Sequence, residues 1–319
     1  MENLLINRIL ERIPAQFKPT NYLMGALDIG RESAYRRIRG EIPFTFKEVS
    51  DLSMKLGFSI DEVVSNSKIY RAFLDIPAGL SSGEDFFLNM LRNYYRYINS
   101  QNLEILATLN RTPLSAFMVS EPLFRFYCYK CLHQMHNEPE SISFSDMKIP
   151  QEAFSIRKKY LAKIKNVNNS VYIVDKDMFL TVCREIQYFY SRKLLGDEDV
   201  IILKNALLEL LDRLRSMIHS GCNSFGVENR FYLSLLEIDS NSTCFVSEKN
   251  IISLFWIYSA NFIEICNTEI CNTYREWFDS MKKYAILITG SNEIFQAGFI
   301  KRQRRHIEEI SDGFLFMNL

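Results

Sequence analysis

The sequence lacks an excess of either charge, since 38 lysines and arginines balance 38 aspartates and glutamates over 319 residues. A net charge of zero excludes binding to nucleic acid through an overall field, so any such contact must come from a local patch. Only four histidines are present, and none stands in a pattern typical of acid–base catalysis. The remaining composition, with 47% hydrophobic and 24% charged residues, is that of a globular rather than a disordered protein.

Long apolar runs are missing as well. The most apolar stretch, Asn250–Ile263, has 14 uncharged residues, fewer than the roughly 18 expected of a membrane-spanning helix, and its β-branched residues favour a buried strand. Residues 1–16 predict a short amphipathic helix rather than a secretory signal. The seven cysteines are scattered and odd in number, which predicts reduced thiols in a cytoplasmic protein without membrane contact.

Catalytic motifs are also absent. The sequence contains neither a glycine-rich phosphate loop nor a Gly-x-Ser-x-Gly elbow. The stretch from Cys128 to His136 contains four zinc-ligand side chains, the other two being Cys131 and His133. A helical pattern runs through it, and at about 100° per residue one straight helix cannot arrange these four side chains around one ion. We therefore predict no enzyme, metal or cofactor, with an enzyme of unrecognised site as the open alternative.

The chain divides into three segments. Residues 1–66 contain five short helical patterns, which predict a compact all-α domain. Residues 67–85 predict a connecting helix and a linker rich in proline, glycine and serine. Residues 86–319 mix helical and strand patterns. The predicted fold class is therefore mainly α, with an α+β C-terminal part that holds a small sheet.

Within residues 86–319, helical patterns precede a cluster of strands, which favours α+β over a βαβ repeat. The predicted strands are 103–110, 230–238, 242–247 and 252–265, and the predicted helices are 84–99, 122–135, 151–165, 177–193, 197–220, 268–288 and 299–310. The basic stretch Lys301–Ile310 has two interpretations. It either adds phosphate contacts or is an exposed helix with ion pairs four residues apart.

The segment Ala26–Glu41, ALDIGRESAYRRIRGE, carries the strongest functional signal. Apolar residues up to Leu27 end one helix, and Ala34 and Ile38 are spaced to form the inner face of the next. This pattern predicts two helices joined by a tight turn and packed across each other. The residues left on the outer side of the second helix or at its border are Arg31, Glu32, Ser33, Tyr35, Arg36 and Arg39.

That second helix concentrates positive charge. Residues 31–39 contain four arginines and one glutamate, a charge of +3, whereas nine basic and nine acidic residues cancel over residues 1–66. Guanidinium groups bind phosphate oxygens and the paired acceptors of guanine. An ordinary solvated basic helix is the alternative.

The segment Asn21–Val64 resembles the five-helix DNA-binding domain of the lambda repressor and Cro type. The resemblance is carried by the spacing of Val49, Leu52, Leu56, Gly57, Phe58, Ser59, Ile60, Asp61, Glu62 and Val63. Two positions depart from the family pattern. Asp28 stands where the family usually has glycine, and Gly30 stands where it usually has serine or threonine.

The resemblance implies a sequence-specific transcription regulator that binds double-stranded DNA and reads the major groove with helix 31–39. The residues implied to face bases are Arg31, Glu32, Ser33, Tyr35 and Arg36, and those implied to face phosphates are Lys18, Asn21 and Arg39. The large C-terminal part is then expected to form a homodimer and to sense an effector of unknown nature. Its many aromatic residues line either a ligand pocket or an ordinary core. The alternative is a protein-interaction scaffold whose helix-turn-helix does not bind DNA.

Overall fold

The computed structural model describes residues 2–14, 17–58, 60, 63, 83–100, 102–135, 142–248, 250–258 and 261–311. The chain forms two compact units, Met1–Phe73 and Leu74–Leu319. The boundary between them falls within the segment 67–85. The connecting helix predicted in that segment lies outside the described residues.

The first unit is helical. Its described residues form α1 (Glu2–Arg12), α2 (Pro19–Leu27), α3 (Arg31–Ile38) and α4 (Phe46–Leu56). The apolar sides of these helices share one core, made of Ile9, Ile13, Leu23, Ala34, Leu52, Phe58 and Val63. The fifth helix, predicted from Ser59 onward, lies largely outside the described residues, although Ile60 and Val63 are themselves helical.

Local sequence explains where α4 begins and ends. The Thr45 hydroxyl accepts a hydrogen bond from the Glu48 amide at 3.3 Å, and the Glu48 carboxylate accepts one from the Thr45 amide at 2.8 Å. This reciprocal capping box satisfies two amides that the first turn leaves without helical partners. Gly57 ends the helix at φ +67°, a left-handed conformation that favours glycine.

Helices predominate in the second unit too. In its described residues they are α5 (Gly83–Ile98), α6 (Leu114–Val119), α7 (Glu121–Met135), α8 (Gln151–Lys163), α9 (Leu180–Ser191), α10 (Asp197–Ser220), α11 (Thr268–Lys282) and α12 (Glu293–Glu308). None of the described helices is long and apolar enough to cross a membrane.

Seven strands of the described residues form one mixed sheet. They are β1 (Leu103–Leu109), β2 (Val167–Val174), β3 (Glu228–Ser234), β4 (Ser242–Val246), β5 (Ile251–Tyr258), β6 (Asn261–Ile265) and β7 (Ala285–Leu287). Their spatial order is β6-β5-β4-β1-β2-β3-β7. The pairs β1–β2 and β2–β3 are parallel, and the other four pairs are antiparallel.

The two faces of the sheet are covered differently. Ile105, Ala107 and Leu109 of β1 belong to the large core, which contains side chains from α5–α10 and α12. Leu106, on the opposite face of the same strand, belongs to a smaller cluster with Tyr274 and Phe278 of α11. This alternation follows from the period of two in a β-strand.

The expectation of strands without βαβ connections was wrong. Strand β2 was not predicted, yet it lies between β1 and β3 and is parallel to both. Parallel neighbours require crossover connections, and helices α6–α8 and then α9–α10 provide them. The strand was missed because Asn168, Asn169 and Ser170 interrupt its apolar pattern.

The strand predicted over 252–265 was also wrong as a single element. It is two antiparallel strands, β5 and β6, that pair with each other, Phe255 lying opposite Ile263. Strand β7, with three residues, was not predicted and pairs with β3. The sheet is therefore larger than expected.

Aromatic side chains fill much of the large core. Tyr129, Phe117, Phe124 and Phe126 are among the largest fully buried side chains. Their rings pack against other rings, as where Tyr129 and Phe189 meet with centroids 5.1 Å apart. These four residues are therefore ordinary core residues.

Candidate nucleic-acid interface

A three-residue turn connects α2 to α3. Asp28 adopts a left-handed conformation with φ 53° and ψ 50°, and its amide bonds to the Met24 carbonyl oxygen. Gly30 is the N-cap of α3 in an extended conformation, with φ −68° and ψ 158°, and makes no side-chain cap. The turn thus contains one strained non-glycine residue and one uncapped helix start.

The inner face of α3 packs as its spacing predicts. Ala34 is fully buried in the core of the first unit together with Leu23 of α2 and Leu52 of α4, and the half-buried Ile38 packs against the same core. A methyl side chain at position 34 lets α3 lie close to α2. The rest of α3 is consequently turned away from the core.

The outer face of α3 is exposed at five of the six expected positions, namely Arg31, Glu32, Tyr35, Arg36 and Arg39. Lys18 and Asn21, at the start of α2, are exposed as well. Ser33 differs, because it is half-buried and its hydroxyl accepts a hydrogen bond from Arg37 at 2.5 Å. Ser33 therefore lies at the border of the outer face, and its contact with a base stays a prediction.

Arg37 was not among the expected site residues and has a structural partner. Its guanidinium makes two hydrogen bonds to the Glu48 carboxylate, Nη2 to Oε1 at 2.8 Å and Nε to Oε2 at 3.3 Å. The two side chains are only 11% and 16% exposed. Because Glu48 also caps α4, this ion pair ties α3 to the start of α4.

The electrostatics of Glu48 agree with that role. Burial acts to raise the pKa of its carboxyl, but hydrogen bonds from the Thr45 backbone and from Arg37 outweigh burial and hold the pKa below its usual value. The sequence contained a signal for this site, since Thr45 and Glu48 have capping-box spacing. Nothing in the sequence paired Glu48 with Arg37.

Arg36 and Arg39 share one carboxylate, that of Glu41. Oε2 of Glu41 lies 3.5 Å from Nε of Arg36, and Oε1 lies 3.2 Å from Nη1 of Arg39. All three side chains remain 44–59% exposed. These ion pairs are therefore exposed to solvent, in contrast to the half-buried pair of Arg37 and Glu48.

Tyr35 is held by its neighbours on the outer face. The Arg31 guanidinium lies 5.7 Å from the centre of the Tyr35 ring. Hydrogen bonds with Arg31 and then Thr20 lower the pKa of the Tyr35 phenol, because they favour the phenolate oxygen. Within the described residues, no carboxylate forms an ion pair with Arg31.

The two cysteines of the stretch Cys128 to His136, which was considered as a zinc site, are core residues. Cys128 and Cys131 are fully buried in α7, and burial raises the pKa of the Cys131 thiol to about 12, so it stays protonated. His136 lies outside the described residues. Among the described residues, no three histidine, cysteine or acidic side chains are grouped so as to hold a metal ion.

The basic helix near the C-terminus pairs within its own unit. Arg302 makes hydrogen bonds of 2.5 and 2.8 Å to the Asp177 carboxylate. Arg305 pairs with Glu309, four residues later, at 2.7 Å. These contacts favour the interpretation of an exposed helix with ion pairs over that of a phosphate-binding tail.

Comparisons with models of protein families, with curated proteins and with solved structures find no match to this chain.

Proposed function

We propose that the first unit is a five-helix DNA-binding domain of the lambda repressor and Cro type. The whole chain is then a sequence-specific transcription regulator that acts as a homodimer on double-stranded DNA. The observation that carries this proposal is the arrangement of α2 and α3. A three-residue turn and the buried Ala34 hold α3 against α2, so that its exposed face carries Arg31, Glu32, Tyr35 and Arg36.

The major groove is wide enough to admit such a helix. The eight residues of α3 span about 12 Å, enough to reach a few base pairs. Arg31 can bind the O6 and N7 acceptors of a guanine, and Glu32 can accept from a cytosine amine. Lys18 and Asn21, at the start of α2, are then placed for phosphate contacts.

One observation favours the scaffold alternative. Three of the four arginines of residues 31–39 engage carboxylates of the same unit, Arg37 with Glu48 and the other two with Glu41. The uncompensated positive charge of this surface is therefore smaller than the +3 of the sequence segment. If α3 binds DNA, arginines on this surface must exchange a carboxylate of the protein for a phosphate.

Selection of bound sequences from random duplex DNA by the intact protein tests the proposal. A sequence preference is expected, and Arg31→Ala should relax it at one position at a cost of about 1–3 kcal/mol. The exposed Arg213 of α10 offers a matched control in the second unit, because Arg213→Ala removes the same charge. Absence of enrichment, together with binding that does not depend on salt, would favour the scaffold.

The dimer has its own test. Two half-sites read by one dimer give a palindromic sequence, because the symmetry of the DNA mirrors that of the protein. Sedimentation of the intact protein with and without the selected duplex should show two copies per duplex. A strict monomer in both conditions contradicts the homodimer.

A further inference from the structure

The end of α3 brings one carboxylate against two arginines. Gly40, at φ +73°, turns the chain back, and the Glu41 amide then bonds to the Arg36 carbonyl oxygen at 2.8 Å. This turn presents the two oxygens of the Glu41 carboxylate to two guanidinium groups, one from Arg36 and one from Arg39. Glu41 is therefore placed by backbone contacts as well as by charge.

A phosphodiester resembles the Glu41 carboxylate in the features that these arginines recognise. Each carries one negative charge and offers two acceptor oxygens, and guanidinium groups bind both. The Glu41 contacts are solvent-exposed, and exposed ion pairs are weak and easily exchanged. The half-buried pair of Arg37 and Glu48, by contrast, makes two hydrogen bonds between α3 and the first turn of α4.

We propose that Arg36 and Arg39 together form a phosphate clamp, and that Glu41 occupies this clamp in the free protein until a DNA phosphate displaces it. The inference rests on the proposed DNA-binding function and deepens it. It moves Arg36 from base contact to phosphate contact. It also makes Glu41 a brake on non-specific binding, since every phosphate must compete with this carboxylate.

Binding of the intact protein to a mixed-sequence duplex, measured by fluorescence anisotropy over a range of salt concentrations, tests the clamp without knowledge of the operator. Glu41→Gln removes the competing charge and should tighten binding about 3- to 10-fold. Arg36→Ala should weaken binding on all sequences and reduce the salt slope by about one. In an Arg36→Ala, Arg39→Ala background, Glu41→Gln should lose its effect.

Glu11→Gln is the matched control, because Glu11 is an exposed carboxylate of α1 in the same unit. It should change the affinity less than twofold if the effect is local rather than one of net charge. Thermal unfolding of each variant shows whether it remains folded.

Two results overturn the clamp alone. In the first, the wild type binds DNA with a clear salt slope, and Glu41→Gln leaves its affinity unchanged or weakens it. In the second, Glu11→Gln increases the affinity as much as Glu41→Gln does. Failure of the wild type and of every variant to bind any duplex overturns the DNA-binding function and the clamp with it.

Discussion

At the scale of single residues, two glutamates set the roles of three arginines. Glu48 is 16% exposed and binds Arg37 through two hydrogen bonds, so this arginine is part of the framework. Glu41 is 44% exposed, and its carboxylate oxygens lie 3.5 Å from Arg36 and 3.2 Å from Arg39 in solvent-exposed ion pairs. Burial therefore separates a structural ion pair from an exchangeable one, although both are made of the same two residue types.

Asp28 gives a prediction at this scale. Its left-handed conformation, with φ 53°, strains any side chain with a Cβ atom, although aspartate tolerates it better than most. Asp28→Gly should relieve that strain and raise the free energy of unfolding of the first unit by about 0.5 kcal/mol, after the extra chain entropy of glycine is subtracted. Urea unfolding measures the change.

Gly57 supplies the converse variant, because it ends α4 in the same left-handed region at φ +67°. Gly57→Ala should lower the free energy of unfolding by about 1 kcal/mol. A loss of stability in Asp28→Gly would show that the aspartate makes a compensating contact at the turn.

At the scale of elements, α3 depends on its neighbours. It has eight residues and a glycine N-cap without a side-chain hydrogen bond, and isolated helices of that length are unstable in water. The packing of Ala34 and the ion pair of Arg37 with Glu48 therefore hold it in place. Because these contacts fix which side of α3 faces the core, the opposite side is exposed to solvent.

The tie between α3 and α4 can be tested by removing Arg37. Arg37→Ala deletes the two hydrogen bonds to Glu48 and two to Ser33, and should lower the free energy of unfolding of the first unit by about 2 kcal/mol. Arg36→Ala, on the same helix, removes only an exposed pair and should cost less than about 0.5 kcal/mol. Equal losses in chemical denaturation would contradict the distinction between these arginines.

At the scale of the whole molecule, polar contacts join distant parts of the second unit. The Asp177 carboxylate, in the connection after β2, accepts hydrogen bonds from Arg302 and lies 2.7 Å from Nε2 of His306, both on α12. Burial acts to raise the pKa of Asp177, but the hydrogen bonds from Arg302 and His306 prevail and hold the pKa below its usual value. These contacts fasten α12 to the connection after β2.

The lowered pKa of Asp177 predicts how stability changes with acidity. A carboxyl whose pKa is lower in the folded state stabilises the fold above its unfolded pKa of about 3.9 and loses that contribution as the pH falls through the folded value. The free energy of unfolding of the second unit should therefore fall less steeply below about pH 4.5 in Asp177→Asn than in the wild type.

Denaturant unfolding at a series of pH values, followed by a probe in the second unit, measures this slope. Asp212→Asn is the control, because Asp212 lies on α10 at a more exposed surface, with ion-pair distances of 3.4 and 3.5 Å. If the free energies of unfolding of the wild type and of Asp177→Asn fall equally steeply at acid pH, this carboxylate is not the source of the acid sensitivity.

Prediction from the sequence succeeded where local pattern dominates. The spacing of Ala34 and Ile38 predicted the inner face of α3, and long periodic stretches such as Asp197–Ser220 matched their helix. It failed for β2, whose polar residues Asn169 and Ser170 obscure the strand and whose place in the sheet depends on partners more than 50 residues away in sequence. In the site, the partners of Arg36 and Arg37 were missed, since ion pairing depends on side-chain direction.

The sequence by itself determined which residues can form helices, where α4 is capped and where arginines concentrate, because these depend on neighbours within a few positions. The tertiary structure alone decided that three β-strands run parallel in the centre of the sheet. It also decided that Arg37 is half-buried against Glu48 while Arg31 is exposed. The physical reason is the same in both cases, since strand pairing and ion pairing join residues that only the packed chain brings together.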